Sequence, residues 1–343
     1  KISNLLRQIF IELGCREVIF PIVQERKIWN ESGRMNKYEK TIKEIDANFI
    51  FSPSHEELST VMMGENVSYK DLPKTMFSIG HCFRKEIRPK NGLLRSKEFV
   101  LFDGYTFSSD LEQHNKMYDS LKLRIELFLR KVEIPFEDVF FKTNDEVSLS
   151  DEFVVRTGHI GEKRILHCLA CKNNYRASQF EACICGGETV LQRGIEFADL
   201  IRNGTAFAEK SNKSFVNRFG GKSPYYMLSF GIGISKFLAV LIETTAQTKD
   251  FYWSATISPF GVVIIPHKDS KESLDEILVN NRLIGMDVLI DDRDLSIGRR
   301  IEENKMLGIP LMLVVKKGGE ELELINRKAG ENMHVNSMGS LVF

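Results

Sequence analysis

The chain has 343 residues, 43% of them hydrophobic and 24 of them phenylalanine, so it can bury a sizeable core and is expected to form two globular domains. Lys and Arg together number 47, as do Asp and Glu, which excludes a general attraction to nucleic acid through net charge and leaves RNA contacts to local basic patches. No run of about 18 apolar residues and no signal-peptide pattern occurs, so we expect no membrane partner.

The N-terminal part of the sequence predicts a helix, a strand and a hairpin. Apolar residues at helical spacing predict an amphipathic helix over residues 2–14. A β-rich run from Glu17 to Val23 predicts a strand. Two further β-rich segments, Met76 to Arg88 and Lys97 to Phe107, flank a polar turn and predict an antiparallel pair joined by a basic loop.

The rest of the sequence predicts a long helix and then a change of architecture. Leu111 to Val132 predicts the helix, and residues 226–242 predict a strand that leads into an apolar helix at Ile234. After Ser258 strands and helices alternate, as in a small α/β domain with a mostly parallel sheet. The predicted strands are 260–265, 287–290 and 311–315, and the predicted helices are 270–284 and 296–307. We therefore predict domains at residues 1–257 and 258–343.

The basic hairpin carries residue types suited to binding a nucleotide. If the two strands continue through Arg88 and from Lys97, alternation places Arg84, Glu86 and Phe99 on one face. An arginine can hold a phosphate, a glutamate can accept from an adenine amino group, and a phenylalanine can stack on the purine. A charged, solvated hairpin is the alternative for any one of these residues, and their clustering favours an ATP clamp.

Four of the six cysteines form a cluster in residues 165–190. Two close pairs of thiols, separated by about one hairpin, predict a tetrahedral zinc site and a reducing compartment. The predicted ligands are Cys168, Cys171, Cys183 and Cys185. The alternative is a set of cysteines that binds no metal.

The hairpin also carries a family resemblance. Phe83 to Phe107, FRKEIRPKNGLLRSKEFVLFDGYTF, resembles motif 2 of class II aminoacyl-tRNA synthetases in the version found in prolyl enzymes. Glu17 to Arg34 resembles motif 1, which forms the dimer interface, and Ser229 to Glu243 resembles motif 3. Ser52 to Glu57 resembles the proline-binding loop, and residues 260–334 resemble the anticodon-binding domain. The similarity covers nearly the whole chain.

The resemblance implies an α+β class II catalytic domain, an antiparallel sheet flanked by helices, followed by a small α/β anticodon-binding domain. It implies roles for individual residues. The catalytic residues would be Arg84 at the ATP α-phosphate, Glu86 at the adenine amino group and Arg95 at the distal phosphates. Other residues implied to bind ATP are Phe99, Gly233 and Lys236. Those implied to bind proline are Ser54, Glu56, Arg84 and Glu196, and those predicted to bind tRNA are Arg293, Arg299 and Arg300.

The sequence departs from the family pattern at several of these segments. Lys236 stands where the family has an arginine, and lysine keeps the charge without the planar group that stacks on adenine. Ser54 replaces threonine and keeps the hydroxyl. Asp151 and Asp199 stand where the family has histidines, and two carboxylates beside an anionic adenylate are unfavourable unless they are paired or face away.

The implied function is a proline–tRNA ligase that uses ATP with Mg²⁺ to form prolyl-adenylate and transfers proline to tRNA(Pro). A homodimer through motif 1 is expected, without a cis-editing insertion, since residues 108–228 leave room only for the cysteine segment. The spelling of Leu295 to Arg300 and the cysteine pairs resemble the mitochondrial branch, so we expect the mitochondrial matrix, with a bacterial cytoplasm as the alternative. The alternative functions are a synthetase for threonine or histidine, and a catalytically weakened tRNA-binding or accessory protein.

Overall fold

The computed structural model describes residues 1–64, 67–87, 89, 91–142, 149–157, 160–246, 251–279, 283, 285–319 and 321–335. The chain divides into two compact units. The large unit comprises Ile2–Arg130 and Ile134–Val240, and the small unit comprises Leu241–Phe343 with Lys1 and Lys131–Glu133. The domain boundary expected at residue 257 stays a prediction. Among the described residues, no helix combines the length and hydrophobicity needed to cross a membrane.

The first 246 residues alternate helices with mostly antiparallel strands. The helices are α1 (Ile2–Glu12), α2 (Arg26–Glu31), α3 (Arg34–Lys37), α4 (Glu56–Met63), α5 (Leu111–Lys131), α6 (Ala206–Lys210) and α7 (Ile234–Ala246). The strands are β1 (Arg16–Glu17), β2 (Val23–Glu25), β3 (Phe49–Phe51), β4 (Val67–Ser68), β5 (Lys74–Phe83), β6 (Glu98–Ser108), β7 (Glu137–Lys142), β8 (Leu149–Arg156), β9 (Lys163–Cys168), β10 (Asn174–Arg176), β11 (Thr189–Gly204), β12 (Phe215–Val216), β13 (Lys222–Ser223) and β14 (Tyr226–Gly233).

A nine-stranded sheet is the frame of the large unit, in the order β1-β5-β6-β14-β11-β8-β7-β10-β9. Its central strands pair antiparallel, which confirms the predicted fold class. Alternation along β6 separates two environments. Phe102 packs against Phe10 of α1, with ring centroids 4.7 Å apart, whereas its neighbour Asp103 faces the opposite side, where a cavity opens. One face of the sheet thus packs against α1, and the other carries the candidate site beside a second hydrophobic cluster that includes Tyr105 and Phe107.

The small unit is an α/β domain, as predicted. It contains β15 (Val262–Pro266), α8 (Lys271–Leu278), β16 (Val288–Ile290), α9 (Ile297–Met306), β17 (Leu311–Val315), β18 (Leu322–Asn326) and β19 (Glu331–Val335). The strand order is β16-β15-β17-β18-β19, with the first three strands parallel and the last two antiparallel. Every residue of β15 is buried, which explains its continuous apolar run.

Three predicted elements differ from the structure. The strand expected over Glu17 to Val23 is wrong: β1 pairs with β5, β2 pairs with β3, and Pro21 between them has no N–H to donate. The first hairpin strand ends at Phe83 rather than continuing to Arg88, which lies outside the described residues. The helix expected over residues 270–284 ends at Leu278, and residue 284 lies outside the described residues.

Candidate active site

A cavity of about 280 Å³ lies on the open face of the sheet in the large unit. It is lined by every residue that the sequence assigns to proline or ATP: Ser54, Glu56, Arg84, Glu86, Arg95, Phe99, Glu196, Gly233 and Lys236. They come from the loop before α4, the hairpin of β5 and β6, strand β11, and the junction of β14 with α7. The structure therefore brings together residues that lie up to 182 positions apart, from 54 to 236.

Arg84 lies at the point where the hairpin leaves its regular pairing. Its backbone N–H donates to the Lys97 carbonyl at 2.8 Å, and the next residues turn away from the strand. Its guanidinium lies 4.9 Å from the centroid of the Phe99 ring, and its Nε donates to the Pro53 carbonyl at 3.3 Å. Arg84 and Phe99 lie on one face, as strand alternation predicts, because the register that pairs Cys82 with Phe99 continues to Arg84 and Lys97. Together they offer a cation and an aromatic surface to a nucleotide.

Glu86 and Arg95 hold each other across the hairpin loop. Arg95 Nε donates to Glu86 Oε2 at 2.7 Å, and its NH1 lies 3.7 Å from Glu162, which sequence reasoning did not single out. The Arg95 side chain is 43% exposed, so it can rotate toward a phosphate at the cavity mouth. The predicted adenine and phosphate contacts would then replace this ion pair.

Glu56 is a second carboxylate in the lining of the cavity, and Arg34 fixes it. Arg34 NH1 donates to Glu56 Oε2 at 3.0 Å and to Glu57 Oε2 at 2.9 Å. The Arg34 guanidinium lies 4.9 Å from the Trp29 ring centroid. Burial raises the pKa of Glu56, but Arg34 and the Ser54 hydroxyl outweigh burial and lower it below its ordinary value. Glu56 is thus held ionised, as an ammonium-binding group requires.

Sequence reasoning missed Arg34 as a site residue. The available signal was its position as the last residue of the segment resembling motif 1, after the aromatic Trp29. Burial, followed by the charge of Glu56, raises the pKa of the neighbouring Glu57 to about 7, although Arg34 acts in the opposite direction. The two glutamates share one cation, and Glu56 is the one that borders the cavity.

A second missed group ties the proline-binding loop to the sheet. His55 Nδ1 lies 2.7 Å from Asp103 Oδ2, and the Tyr105 hydroxyl donates to the same oxygen at 2.7 Å. The backbone N–H of His55 donates to the Tyr105 hydroxyl at 2.9 Å. All three residues are buried. This triad fixes the backbone between Ser54 and Glu56, the residues predicted to contact the proline ammonium.

Glu196 on β11 is paired with a lysine that sequence reasoning also missed. Lys163 Nζ lies 2.7 Å from Glu196 Oε2 and 2.8 Å from Glu152 Oε1. Burial raises the pKa of Glu196, but Lys163 and Lys236 outweigh burial and lower it to about 2. Glu196 is therefore a fixed anion within the cavity wall.

The two aspartates that depart from the family pattern differ in position. Asp151 is buried away from the cavity lining, where it accepts from the Tyr118 hydroxyl and from Lys122 Nζ at 3.0 Å, so the expectation of pairing is met. Asp199 borders the cavity and makes no hydrogen bond or ion pair within the part of the chain that the structure describes. Burial and then the charges of Glu196 and Glu152 raise the pKa of Asp199 to about 8.

Comparisons with known proteins agree with this geometry. Residues 38–245 match the family described as tRNA synthetase class II core domain (G, H, P, S and T), and residues 261–338 match the anticodon binding domain. Proline–tRNA ligase of Rickettsia bellii is 30% identical over 366 residues, which cover 96% of this chain and 83% of that protein. The chain belongs to the proline–tRNA ligase family. The enzyme of Neorickettsia sennetsu is 31% identical and is covered to 80% of its length.

Solved prolyl-tRNA synthetases share the fold at lower identity. The Giardia lamblia enzyme in complex with prolyl-adenylate is 17% identical, with a TM-score of 0.75 over 98% of this chain and 67% of its own. The Cryptosporidium parvum enzyme complexed with halofuginone and AMPPNP is 16% identical, with a TM-score of 0.77 over 97% of this chain and 67% of its own. At this identity the likeness establishes the fold of this family member.

The arginines predicted to bind tRNA lie in and before α9 of the small unit. Arg293 pairs with Asp291 at 2.7 Å and with Glu303 at 2.5 Å, and Arg299 pairs with Glu303 at 2.9 Å. Arg300 is only 4% exposed, and its terminal nitrogens donate to the Asp291 and Pro266 carbonyls at 2.5 and 2.9 Å. Its role is internal, which corrects the expectation that Arg300 offers a surface contact to RNA.

The four predicted zinc ligands meet at one point beside β9. The Cys168 and Cys185 sulfurs are 3.6 Å apart, those of Cys171 and Cys183 are 3.4 Å apart, and all four Sγ atoms lie within 4.8 Å of one another. A Cβ at Gly187 would lie 2.9 Å from the Cys168 sulfur, so a side chain there would crowd the cluster. The geometry is that of a compact four-thiol group.

Proposed function

We propose that the chain activates proline with ATP, forms prolyl-adenylate and transfers proline to tRNA(Pro). The observation that carries this proposal is the convergence of every predicted proline and ATP residue on one cavity, with Glu56 held ionised and Arg84 stacked on Phe99. An ionised carboxylate and an arginine stacked on an aromatic ring in one cavity support the binding of an ammonium group and a nucleotide there. A reaction between the carboxyl group of an amino acid and the α-phosphate of ATP needs that arrangement.

The chemistry requires positioning and charge stabilisation more than a nucleophilic side chain. The proline carboxylate attacks the α-phosphate and pyrophosphate leaves, so negative charge develops around phosphorus. Arg84 would stabilise that charge, while Glu56 and Ser54 would fix the ammonium. The terminal adenosine of tRNA then displaces AMP from the adenylate.

Proline-dependent ATP–pyrophosphate exchange tests the proposal directly. Exchange should require proline and should stay at background when threonine or histidine replaces it. Charging of tRNA(Pro) should follow with the same chain. Exchange supported by threonine or histidine would instead assign the chain to a sister synthetase.

A tRNA-binding or accessory protein without catalysis is the second candidate. Lys236 in place of arginine and the unpaired carboxyl of Asp199 in the cavity favour it, because both reduce the complementarity to ATP. Binding of tRNA(Pro) without any exchange activity would support this candidate and reject the enzyme.

We also propose that Mg²⁺ accompanies ATP and that zinc binds the cysteine cluster. Mg²⁺ binds mainly through phosphate oxygens and water, so it needs few protein ligands. A tetrahedral zinc with Zn–S distances of about 2.3 Å places its sulfurs about 3.8 Å apart, close to the separations in the four-thiol group. Metal analysis should find one zinc per chain, and Cys171→Ser should lower that content. Zinc-free protein with all four thiols titratable would contradict the zinc proposal.

A homodimer through the segment resembling motif 1 is a further part of the proposal. Its support is a set of exposed apolar side chains in and beside that segment, with Ile19 95% exposed, Val23 41% and Phe49 40%. Analytical ultracentrifugation should detect a dimer that Ile19→Asp weakens. Leu123→Asp on α5 serves as the control, since that side chain is 65% exposed but lies on another element. A monomeric wild-type chain would contradict the dimer.

We propose the mitochondrial matrix as the location, with a bacterial cytoplasm as the alternative. The support is the resemblance of Leu295 to Arg300 and of the cysteine pairs to the mitochondrial branch. Imaging of the tagged natural gene product against a matrix marker tests it, and a purely cytosolic signal in a eukaryotic cell would contradict it.

A further inference from the structure

Lys163 joins two carboxylates that belong to different strands of the large unit. Its Nζ lies 2.7 Å from Glu196 Oε2 on β11 and 2.8 Å from Glu152 Oε1 on β8. Glu196 lines the active-site cavity, whereas Lys163 is not among the described residues of that lining. A substrate in the cavity would therefore meet Glu196, and Lys163 would act on that substrate through Glu196.

Strand β9, which begins at Lys163, is itself held on both sides. It pairs antiparallel with β10 and with β11. The register places Lys163 opposite Gly194, two positions before Glu196, so the Lys163 and Glu196 side chains lie on one face of the sheet. The last residue of β9, Cys168, belongs to the four-thiol group. Lys163 thus extends from a strand that is fixed along both edges and at its far end.

Glu152 has a second cation, and Glu196 has no equivalent hydrogen-bonding cation among the described residues. Arg176 of β10 donates from its Nη2 to Glu152 Oε1 and from its Nε to Glu152 Oε2 at 3.3 Å. Burial raises the pKa of Glu196, and the charges of Lys163 and Lys236 lower it, but of these two lysines it is Lys163 that hydrogen-bonds to the carboxylate. Removal of Lys163 would therefore leave Glu152 paired and release Glu196.

We infer that Lys163 is a positioning residue of the proline site, because its contact with Glu196 sets where that carboxylate stands in the cavity. The inference rests on the proposed function, in which Glu196 binds proline. The Glu196 side chain is 21% exposed, so without Lys163 it can rotate, and proline would have to order it on binding. Arg84 and Phe99, which are proposed to bind ATP, contact each other on the hairpin, so ATP binding should be affected much less.

The test compares Lys163→Met with the wild-type chain in proline-dependent ATP–pyrophosphate exchange. The KM for proline should rise by about tenfold, as expected for the loss of a hydrogen bond to a charged group. The kcat and the KM for ATP should stay within about twofold, because the loss falls on the binding of one substrate. Lys163→Arg keeps the charge and should restore most of the affinity for proline. Arg164→Met is the matched control, since this exposed neighbour lies on the opposite face of β9 and should change neither KM.

A double-mutant cycle with Glu196→Gln shows whether Lys163 acts through Glu196. Glu196→Gln alone should raise the KM for proline, and adding Lys163→Met should then change it little, because the interaction would already be lost. Additive effects would overturn the inference, as would an unchanged KM for proline in Lys163→Met or an equal rise in the KM for ATP. Absence of exchange in the wild type would instead reject the proposed function. If Lys163→Met fails to fold by circular dichroism, Lys163→Gln removes the charge, keeps a donor and gives the same comparison.

Discussion

The arginines in the active-site cavity and the arginines on the small unit were both predicted to bind a ligand, but their surroundings differ. Arg84 and Arg95 border open volume, and Arg95 is held by a carboxylate that can exchange for a ligand. Arg299 pairs with Glu303, and the terminal nitrogens of Arg300 donate to backbone carbonyls of their own unit. In the cavity the prediction rested on a motif of several segments, whereas on the small unit it rested mainly on charge. Residue type alone does not indicate whether a cation is available to a ligand.

The largest effect is expected from Arg84 in the lining of the active-site cavity. Arg84→Ala removes the cation proposed to stabilise charge at the α-phosphate, so exchange should fall by about 10² to 10³, or about 2.7 to 4 kcal/mol. The fold should be intact, since among the described residues the Arg84 side chain makes a single hydrogen bond, to the Pro53 carbonyl. Steady-state exchange kinetics measure the loss, with circular dichroism as the control. Unchanged exchange activity would contradict the conclusion that the cavity arginines, unlike those of the small unit, are available to a ligand.

The next effect should appear in stability and not in activity. Arg300→Ala leaves the buried carbonyls of Asp291 and Pro266 without their donors, at a cost of about 1 to 3 kcal/mol for each group. Denaturant unfolding should show a lower midpoint, while Arg299→Ala, at an exposed position, should leave the midpoint unchanged. Equal stability of the two variants, combined with a specific rise in tRNA KM for Arg300→Ala, would restore Arg300 to the RNA-binding set.

The sequence predicted those parts of the fold that local pattern determines. The helix at Leu111 and the strand at Val262 follow from periodicity and from a continuous apolar run. Strands β18 and β19 were not predicted, because their antiparallel return depends on pairing with β17. The hairpin strand was extended too far because the backbone N–H of Lys85 donates to the carbonyl of Thr41, a distant residue, and that of Glu86 donates to the Arg84 carbonyl instead of across the hairpin.

The same distinction between local pattern and distant contacts applies to the candidate site. Residues in the motif 2, motif 3 and proline-loop segments were predicted to converge, and the cavity contains them. The partners that set their charge were missed: Arg34 beside Glu56, and Lys163 beside Glu196. Such pairs are made by side chains 22 and 33 positions apart, and no single segment of sequence shows them.

Asp199 provides a pH-dependent test of the cavity electrostatics. Burial raises the pKa of its carboxyl to about 8, so the folded chain holds a proton that the unfolded chain has released above its ordinary pKa. The free energy of unfolding should therefore fall as pH rises from the ordinary pKa of an aspartate toward about 8. Between pH 6 and pH 7.5 the fall should be up to about 2 kcal/mol. Asp199→Asn should remove this part of the decline, and Asp119→Asn on the exposed face of α5 should not. Parallel stability profiles for wild type and Asp199→Asn would show that the cavity does not hold this proton.

The smallest expected effect concerns Lys236, where the active-site cavity departs most clearly from its family. Lys236 lies in the first turn of α7, lines the cavity and lowers the pKa of Glu196 through its charge. An arginine there would keep the charge and add a planar group that covers the adenine ring. If the cavity binds ATP as proposed, Lys236→Arg should lower the KM for ATP by a few-fold to about thirtyfold, the equivalent of roughly 0.5 to 2 kcal/mol.

The competing outcome has its own structural reason. Lys236 shares the cavity wall with Phe99 and Glu196, so a larger head group has to fit among side chains that are already there and can overfill the space. Exchange kinetics at several ATP concentrations separate the two cases, and Lys236→Met serves as the control for loss of charge. An active wild type that arginine makes worse would keep the enzyme and reject this account of Lys236. An inactive wild type that arginine does not rescue would favour the accessory protein, because the cavity would then hold the family's residues without its reaction.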